Sequence, residues 1–356
     1  MVISDNFPLI TIVMATFNSK KTITMALEAV RKQNYPQNKI EILVVDGGST
    51  DDTREIANKY SCQIIDNPEV EPVNAKFIGY NNAIGKYILF LDSDEIIINP
   101  KSISNKIHLL ENNPQVKAVL SSGYVDPPDA NFVTTYINEF GDPFSFFMYR
   151  LSKLNLEFIF DMKKRYRVYE ENESQIIFDL SKVKSLPIVE LIAAGSIINL
   201  DFLRENYPEL SQNKRMLPHI FYLMLDKTTL LAISKNDPLI HYSGQSVNQF
   251  LNKIRTRVKN NTHFSGNTGM GGFHARQNYD SSAWRLKKYL FIPYALTLVF
   301  VAHDALVMTY KRKDYRYLSH VPLTIFTALQ ISYHLARKCL KLTPEMRSYG
   351  ESSVIK

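Results

Sequence analysis

Three carboxylates stand within four residues at Asp92, Asp94 and Glu95, directly after the apolar run 87–91 (YILFL). A carboxylate drawn toward a protein interior costs several kcal/mol unless a cation, a metal or hydrogen-bond donors compensate it. Aspartates one residue apart at a strand end can place one carboxylate on a divalent cation and the other on a ligand. Oxygen donors suit Mg2+ or Mn2+, which complete their shells with phosphate oxygens and water. Such an ion would neutralise charge on a nucleotide diphosphate leaving group, while another side chain deprotonates an attacking hydroxyl. Two further polar clusters close apolar runs in the same way: Thr16-Phe17-Asn18 after residues 9–15, and residues 46–52 (DGGSTDD) at the end of residues 41–46.

The elements that must position these residues alternate along the first 120 positions. Strands are expected over 9–15, 41–46, 62–66, 87–91 and 116–122, with helices between them opened by Asn18-Ser19, Ser49, Pro72 and Pro100. Strands alternating with helices of about three turns imply right-handed crossovers and a mostly parallel sheet. Ligands of such sheets bind outside the carboxyl ends of the strands, so the three clusters should converge on one crevice. An isolated acidic strand end could simply be meeting solvent; three at one edge favour a ligand.

The middle of the chain is less regular. Residues 140–151 are aromatic, 162–175 read as a charged loop, 190–206 as strand, small-residue turn and helix, and 217–227 as a helix before a strand ending at His241. In residues 249–260, Phe250, Ile254 and Val258 share one helical face. The glycines of 265–273 (SGNTGMGGF) follow no strand and make a weak phosphate cradle. Tyr289–Tyr310 is long enough to cross a bilayer but contains His303 and Asp304, and Tyr317–Leu335 is less apolar.

Of 356 residues, 45% are hydrophobic, enough for a real core and a length that suits two domains. The amino-terminal residues carry no basic region and read as a first strand rather than a signal peptide. Two cysteines, Cys62 and Cys339, supply neither a disulfide framework nor a zinc cluster. The net charge of +7 is uneven: from Leu251 onward 17 Lys/Arg face 5 Asp/Glu, a balance of +12 that leaves −5 on the first 250 residues. Basic clusters alternating with long apolar segments suit an anionic membrane surface better than nucleic acid, so no nucleic-acid partner is expected. A helical hairpin lying on a membrane fits better than two clean spans; a hairpin packed on a soluble core is the plainer alternative.

Residues 8–125 also carry a resemblance. The succession ITIVMATFN, EILVVDGGSTDDT and AKFIGYNNAIGKYILFLDSDE resembles glycosyltransferase family 2 in order and spacing. The resemblance implies an α/β, GT-A (Rossmann-like) fold and a UDP- or GDP-sugar donor with Mg2+ or Mn2+. It implies that Thr16 and Asn18 lie beside the nucleotide, that Asp46 binds the base, Asp92 the ribose or sugar and Asp94 the metal. Lys76 falls where the family has an arginine near the diphosphate, and Phe77 where it has an asparagine. His241 would reach the metal-diphosphate centre, and Ala194, Gly195 and Ser196 would line the acceptor side. The acidic pair usual for the catalytic base is missing from 214–233, leaving His219 by spacing and Asp226 as candidates, with a packing role for His219 equally open. The implied domains are 1–245 (a nucleotide-sugar half, 1–125, and an acceptor half, 126–245) and a basic helical region, 246–356.

Without a Q-x-x-R-W sequence the chain does not resemble processive polysaccharide synthases. Single sugar addition, with inversion, to a lipid-linked or glycan acceptor at the cytoplasmic side of the membrane is the expectation. Its rivals are a degenerate membrane scaffold on a transferase fold and a sugar nucleotidyltransferase. The latter is disfavoured because no glycine-rich loop follows the first strand.

Overall fold

A computed structural model describes residues 7–183, 194–244, 246–264 and 282–344. The glycine-rich stretch 265–273 and Ala193 lie outside the described residues. The chain divides into two compact units, one built from Met1–Pro127 and Leu154–Tyr242, the other from Pro128–Lys153 and Ser243–Arg347.

The first unit opens with the expected alternation: β1 (Ile10–Thr16), α1 (Lys20–Arg31), β2 (Ile40–Asp46), α2 (Thr53–Lys59), β3 (Gln63–Asp66), α3 (Pro72–Asn82) and β4 (Tyr87–Leu91). β5 (Glu95–Ile97), α4 (Ser102–Asn112), β6 (Ala118–Leu120) and β7 (Tyr124–Val125) follow. Nine strands form one sheet in the order β3-β2-β1-β4-β10-β6-β11-β9-β8, with β8 Arg167–Glu171, β9 Gln175–Asp179, β10 Ala194–Asn199 and β11 Leu230–Ser234. β3, β2, β1 and β4 are mutually parallel, as expected. The far half is mixed, because β10 runs antiparallel to both β4 and β6 and β11 antiparallel to β9. Every residue of β4 is buried, which accounts for its unbroken apolar run.

Gly79 explains how closely α3 lies on this sheet: a Cβ there would stand 2.2 Å from Val13 Cγ1. A second, three-stranded sheet pairs β12 (Leu239–His241) antiparallel to β5 and parallel to β7. Its placement depends on a buried ion pair. Lys106 Nζ on α4 meets Asp237 Oδ2 at 2.8 Å, and Ser102 Oγ donates to the same oxygen at 3.0 Å. Asp237 and Ser122 also bond through their main chains, Ser122 N–H donating to the Asp237 carbonyl at 3.1 Å.

The second unit is helical. Residues 128–153, assigned by sequence to the acceptor half, pack instead with the C-terminal helices, because their apolar faces are aromatic and find aromatic partners there. Tyr136, Phe140 and Phe146 of α5 (Phe132–Phe140) and α6 (Pro143–Tyr149) cluster with Phe250, Ile254 and Tyr317, while Phe147 and Met148 cluster with Phe291, Tyr294 and Val301. In the first unit, α7 (Asn155–Arg165), α8 (Leu200–Asn206) and α9 (Ile220–Met224) complete the helices. In the second, α10 (Val247–His263) starts at a Ser246–Gln249 capping box and buries Phe250 and Ile254, the face its spacing marked.

The stretch Tyr289–Tyr310 is not one helix. It breaks at Leu298 (φ 58°) into Phe291–Leu296 and Val299–Arg312. Among the described residues no single helix is long and apolar enough to cross a membrane, though the bent pair Arg285–Leu296 and Val299–Arg312, at 86°, passes that test together.

Lys106→Met leaves Asp237 charged and buried without its cation. It is expected to lower the unfolding free energy by about 3–5 kcal/mol in urea titration, with Lys106→Met/Asp237→Leu recovering most of the loss. An unchanged midpoint in the single variant would remove the pair from its structural role.

Candidate active site

Because β1, β2 and β4 are parallel, Thr16, Asp46 and Asp92 emerge at one edge of the sheet. The first two pair directly in register, and Thr16 Oγ1 donates to Asp46 Oδ1 at 3.1 Å. Asp46 is fully buried and organises the loop after β2. Its Oδ2 accepts from the N–H groups of Gly48 and Ser49 at 3.1 and 2.9 Å and from Arg54 at 3.2 Å, and its Oδ1 accepts from Ser49 Oγ at 2.5 Å. A nucleobase can reach this carboxylate only by exchanging with one of those donors.

Asn18 sits in the left-handed region at φ 49°, where asparagine is tolerated better than most residues. Its Oδ1 accepts from Thr50 N–H at 2.9 Å and its own N–H donates to Ser49 Oγ at 2.8 Å, so it ties the β1 loop to the β2 loop. Ser93, between the two aspartates, donates to Ser19 Oγ at 2.9 Å and joins the β4 mouth to the start of α1.

The three carboxylates after β4 are separated by giving each a different partner. Asp92 Oδ1 lies 2.9 Å from Lys76 Nζ on α3, a side chain only 11% exposed. Asp94 Oδ2 lies 3.6 Å from His241 Nε2, at the end of β12. Glu95 turns inward: Tyr124 Oη donates to its Oε1 at 2.5 Å and the Asp92 N–H to its Oε2 at 3.1 Å. Burial first, and then the neighbouring Asp92, push the Glu95 carboxyl well above the usual range. Tyr124 in turn stacks on the His241 ring, centroids 5.0 Å apart. Glu95, Tyr124, His241 and Asp94 therefore form one chain of contacts from the buried floor to the mouth. Sequence reasoning missed Glu95 and Tyr124 as positioning residues; the inward turn is decided by β5 pairing with β12, which no local pattern announces.

Among the described residues, no three His, Cys, Asp or Glu side chains converge as a complete metal cage. The pair Asp94–His241 nevertheless fits a shared cation. Its 3.6 Å separation is close to the roughly 3 Å between adjacent donors of an octahedral ion with ~2.1 Å bonds, and diphosphate oxygens and water would supply the rest.

Of the residues expected to line an acceptor, Ala194 pairs with Leu91 across β10 and β4, and Gly195 adopts φ +61°, where a Cβ would meet Ser121 Oγ at 2.8 Å. Ser196 is buried beside them. The two base candidates are placed differently from one another. Asp226 does not join the crevice. It precedes β11, which is parallel to β6, so it lies at the amino edge of the sheet, where its Oδ1 accepts from Tyr207 Oη at 2.7 Å. His219 is buried at the junction of the 3-10 turn Lys214–His219 and α9, its ring centroid 6.4 Å from that of Tyr222. The expected helix over 217–227 is thus a 3-10 turn running into α9, as Pro218 would impose. One carboxylate escaped the sequence reading: β7 is parallel to β12, and Asp126 follows directly on the last pair of that ladder, Ile240–Val125.

This architecture is a GT-A fold. Superposed on the mannosyltransferase PcManGT from Pyrobaculum calidifontis, solved in complex with GDP-Man and Mn2+, it gives a TM-score of 0.50 over 92% of this chain and 88% of that one, at 13% identity. The family model described as Glycosyl transferase family 2 matches residues 11–169 of the chain. Relatives include the Escherichia coli UDP-Glc:alpha-D-GlcNAc-diphosphoundecaprenol beta-1,3-glucosyltransferase WfaP, 33% identical over 138 residues (35% of this chain, 54% of that one). The Staphylococcus aureus poly(ribitol-phosphate) beta-N-acetylglucosaminyltransferase TarS is 33% identical over 92 residues (24% and 16%). The matched stretches thus span about half, or far less, of these relatives.

Glu95 holds its proton to higher pH in the folded chain than in the unfolded one. Its contribution to stability is complete below the ordinary glutamate value of 4.5 and is lost as pH rises through the raised folded value. Glu95→Gln keeps the neutral shape. Its melting temperature is expected to fall less than that of the unaltered protein as pH rises above the ordinary glutamate value of 4.5. Parallel curves would show that Glu95 does not titrate in this way.

Proposed function

We propose that the protein is a metal-dependent glycosyltransferase that moves one sugar from a UDP- or GDP-sugar to a lipid-linked or glycan acceptor at the cytoplasmic membrane face, with inversion. The observation that carries this reading is the meeting of Asp94 and His241 at the mouth of β4, beside a Lys76–Asp92 pair. The E. coli relative's diphosphoundecaprenol-linked acceptor supports the acceptor class.

Asp94 and His241 would hold Mg2+ or Mn2+, which when bound supplies positive charge to the diphosphate. Lys76 offers a second cation to the same anion and, by pairing with Asp92, holds that carboxylate ready for ribose or sugar hydroxyls. Thr16, Asn18 and Asp46 shape the nucleotide's side of the crevice, and Ala194, Gly195 and Ser196 the acceptor's. The proton leaving the acceptor hydroxyl is assigned to the Asp126 carboxylate, because it follows directly on the Val125–Ile240 pair that precedes His241, whereas Asp226 is at the opposite edge. His219 remains the candidate if Asp126 is dispensable. The burial of His219 and the distance of Asp226 from the crevice also favour a second reading, a scaffold that binds nucleotide without turning over.

Calorimetry with UDP and GDP, with Mn2+ and then with chelator, is expected to show metal-dependent binding of one nucleotide. Asp94→Asn should abolish both that binding and sugar transfer while the melting temperature holds. Normal turnover in the variant would overturn the metal assignment, and metal-dependent binding with no transfer to any acceptor would favour the scaffold. Asp126→Asn is expected to lower kcat by about 10²–10⁴-fold with donor binding intact. An unaffected kcat would move the role to His219.

A further inference from the structure

Two helices of the second unit carry large apolar residues on their outward faces as well as toward the core. In His320–Cys339 the inner face carries His320, Thr324, Thr327, Ala328 and His334 beside Leu323, Phe326 and Ile331, which pack on the aromatic clusters, while Leu329, Tyr333 and Leu335 face outward. The inner polar groups are bonded: His320 Nδ1 to Tyr136 Oη at 2.6 Å, and Thr324 and Thr327 hydroxyls to carbonyls one turn back. In Val299–Arg312 Val301, Ala305 and Met308 are buried, the outward positions Val299, Phe300, Leu306 and Tyr310 follow a helical repeat interrupted by His303, and the acid in the segment, Asp304, is largely buried and paired with Arg150 at 2.7 Å. A helix at an aqueous surface shows the opposite arrangement, with polar residues outward.

The bend between Arg285–Leu296 and Val299–Arg312 sharpens the point. Five consecutive exposed residues, Leu296-Thr297-Leu298-Val299-Phe300, form its tip, and four of them are large and apolar. Leu298 adopts a left-handed backbone at φ 58°, where a residue with a Cβ is disfavoured by about 1–2 kcal/mol. Turns facing water place glycine or asparagine there. The charges stand away from the tip: no Lys or Arg occurs between Lys288 and Lys311, and exposed Arg285, Lys311 and Lys313 lie at the far ends of the two arms.

We infer that this elbow is a re-entrant membrane wedge. Residues 296–300 enter one leaflet of an anionic bilayer and turn back, the outward apolar faces lie in the acyl boundary, and the basic arm ends stay at the headgroups. The commitment to anionic lipid follows from charge: an apolar tip collared by cations at both arm ends matches the depth profile of such a bilayer. The 86° bend and the helix lengths fit entry and return on one side rather than a span. The inference deepens the membrane location proposed above and rests on it, but needs nothing of the catalytic assignment.

The test uses the full-length protein and vesicles of phosphatidylcholine alone or mixed with phosphatidylglycerol. Phe300→Cys on a Cys339→Ser background carries an environment-sensitive fluorophore. Cys62 does not compete for label, since burial pushes its thiol up to about 11. Expected are sedimentation with the anionic vesicles, a blue-shifted label quenched by bromine on the acyl chains, and an at least tenfold weaker partition for Leu298→Ser/Phe300→Ser with nucleotide binding unchanged. Sedimentation with the label still in water would overturn the wedge while leaving the membrane location. No sedimentation of folded, nucleotide-binding protein would overturn both. A dimer in solution that Leu298→Ser/Phe300→Ser dissolves, without vesicle binding, would make a second copy the occupant instead. Equal binding to neutral vesicles would overturn the commitment to anionic lipid.

Discussion

Three carboxylates in four residues, at the end of a strand buried on both faces, repel one another and resist desolvation. Much of the first unit is arranged around that constraint. Each acid takes a different compensation: Lys76 for Asp92, His241 for Asp94, and the Tyr124 hydroxyl for an inward-turned Glu95. These partners come from α3, β12 and β7, elements far apart in sequence. The buried Lys106–Asp237 pair matters because it anchors the turn from which β12 carries His241 to the mouth. The two partly exposed aspartates face a lysine and an imidazole, and the buried glutamate becomes the tether.

The same economy appears in the loops after β1 and β2. Ser49 bonds both Asp46 and the Asn18 N–H, and Thr50 bonds the Asn18 side chain, so the crevice wall is stiffened before any ligand arrives. A preformed wall lowers the ordering cost of binding. The second unit solves a different problem. Its aromatic side chains build two clusters, and its last helix also keeps bonded histidines and threonines inside, while further leucines, tyrosines and Phe300 stay exposed.

Much of the first unit was legible because its signals are local. The strands ending at Thr16, Asp46 and Leu91 are apolar runs bounded by polar turns, and parallel crossovers follow from their alternation with helices. Lys76 and His241 could be singled out through the family resemblance, and the structure brings each to an aspartate. Other assignments failed for physical reasons. Asp226 lies on the wrong side of the sheet because direction depends on strand pairing. Residues 128–153 pack with the second unit because aromatic faces choose their partners in space. Tyr289–Tyr310 read as one helix because hydropathy does not report a backbone reversal at a leucine.

The sequence by itself determined which residues carry charge at the strand ends, the order of the βα units and the basic, apolar character of the last hundred residues. Periodicity and turn chemistry act over a few residues, and those features need nothing more. Only the tertiary structure decided which carboxylate turns inward as a tether and which two stay at the mouth, that β7 pairs with β12, and that the C-terminal helices leave large apolar residues on their outward faces as well. Those facts depend on register, strand direction and the pairing of distant faces, and on the rule that a buried charge must find its partner wherever the fold supplies one.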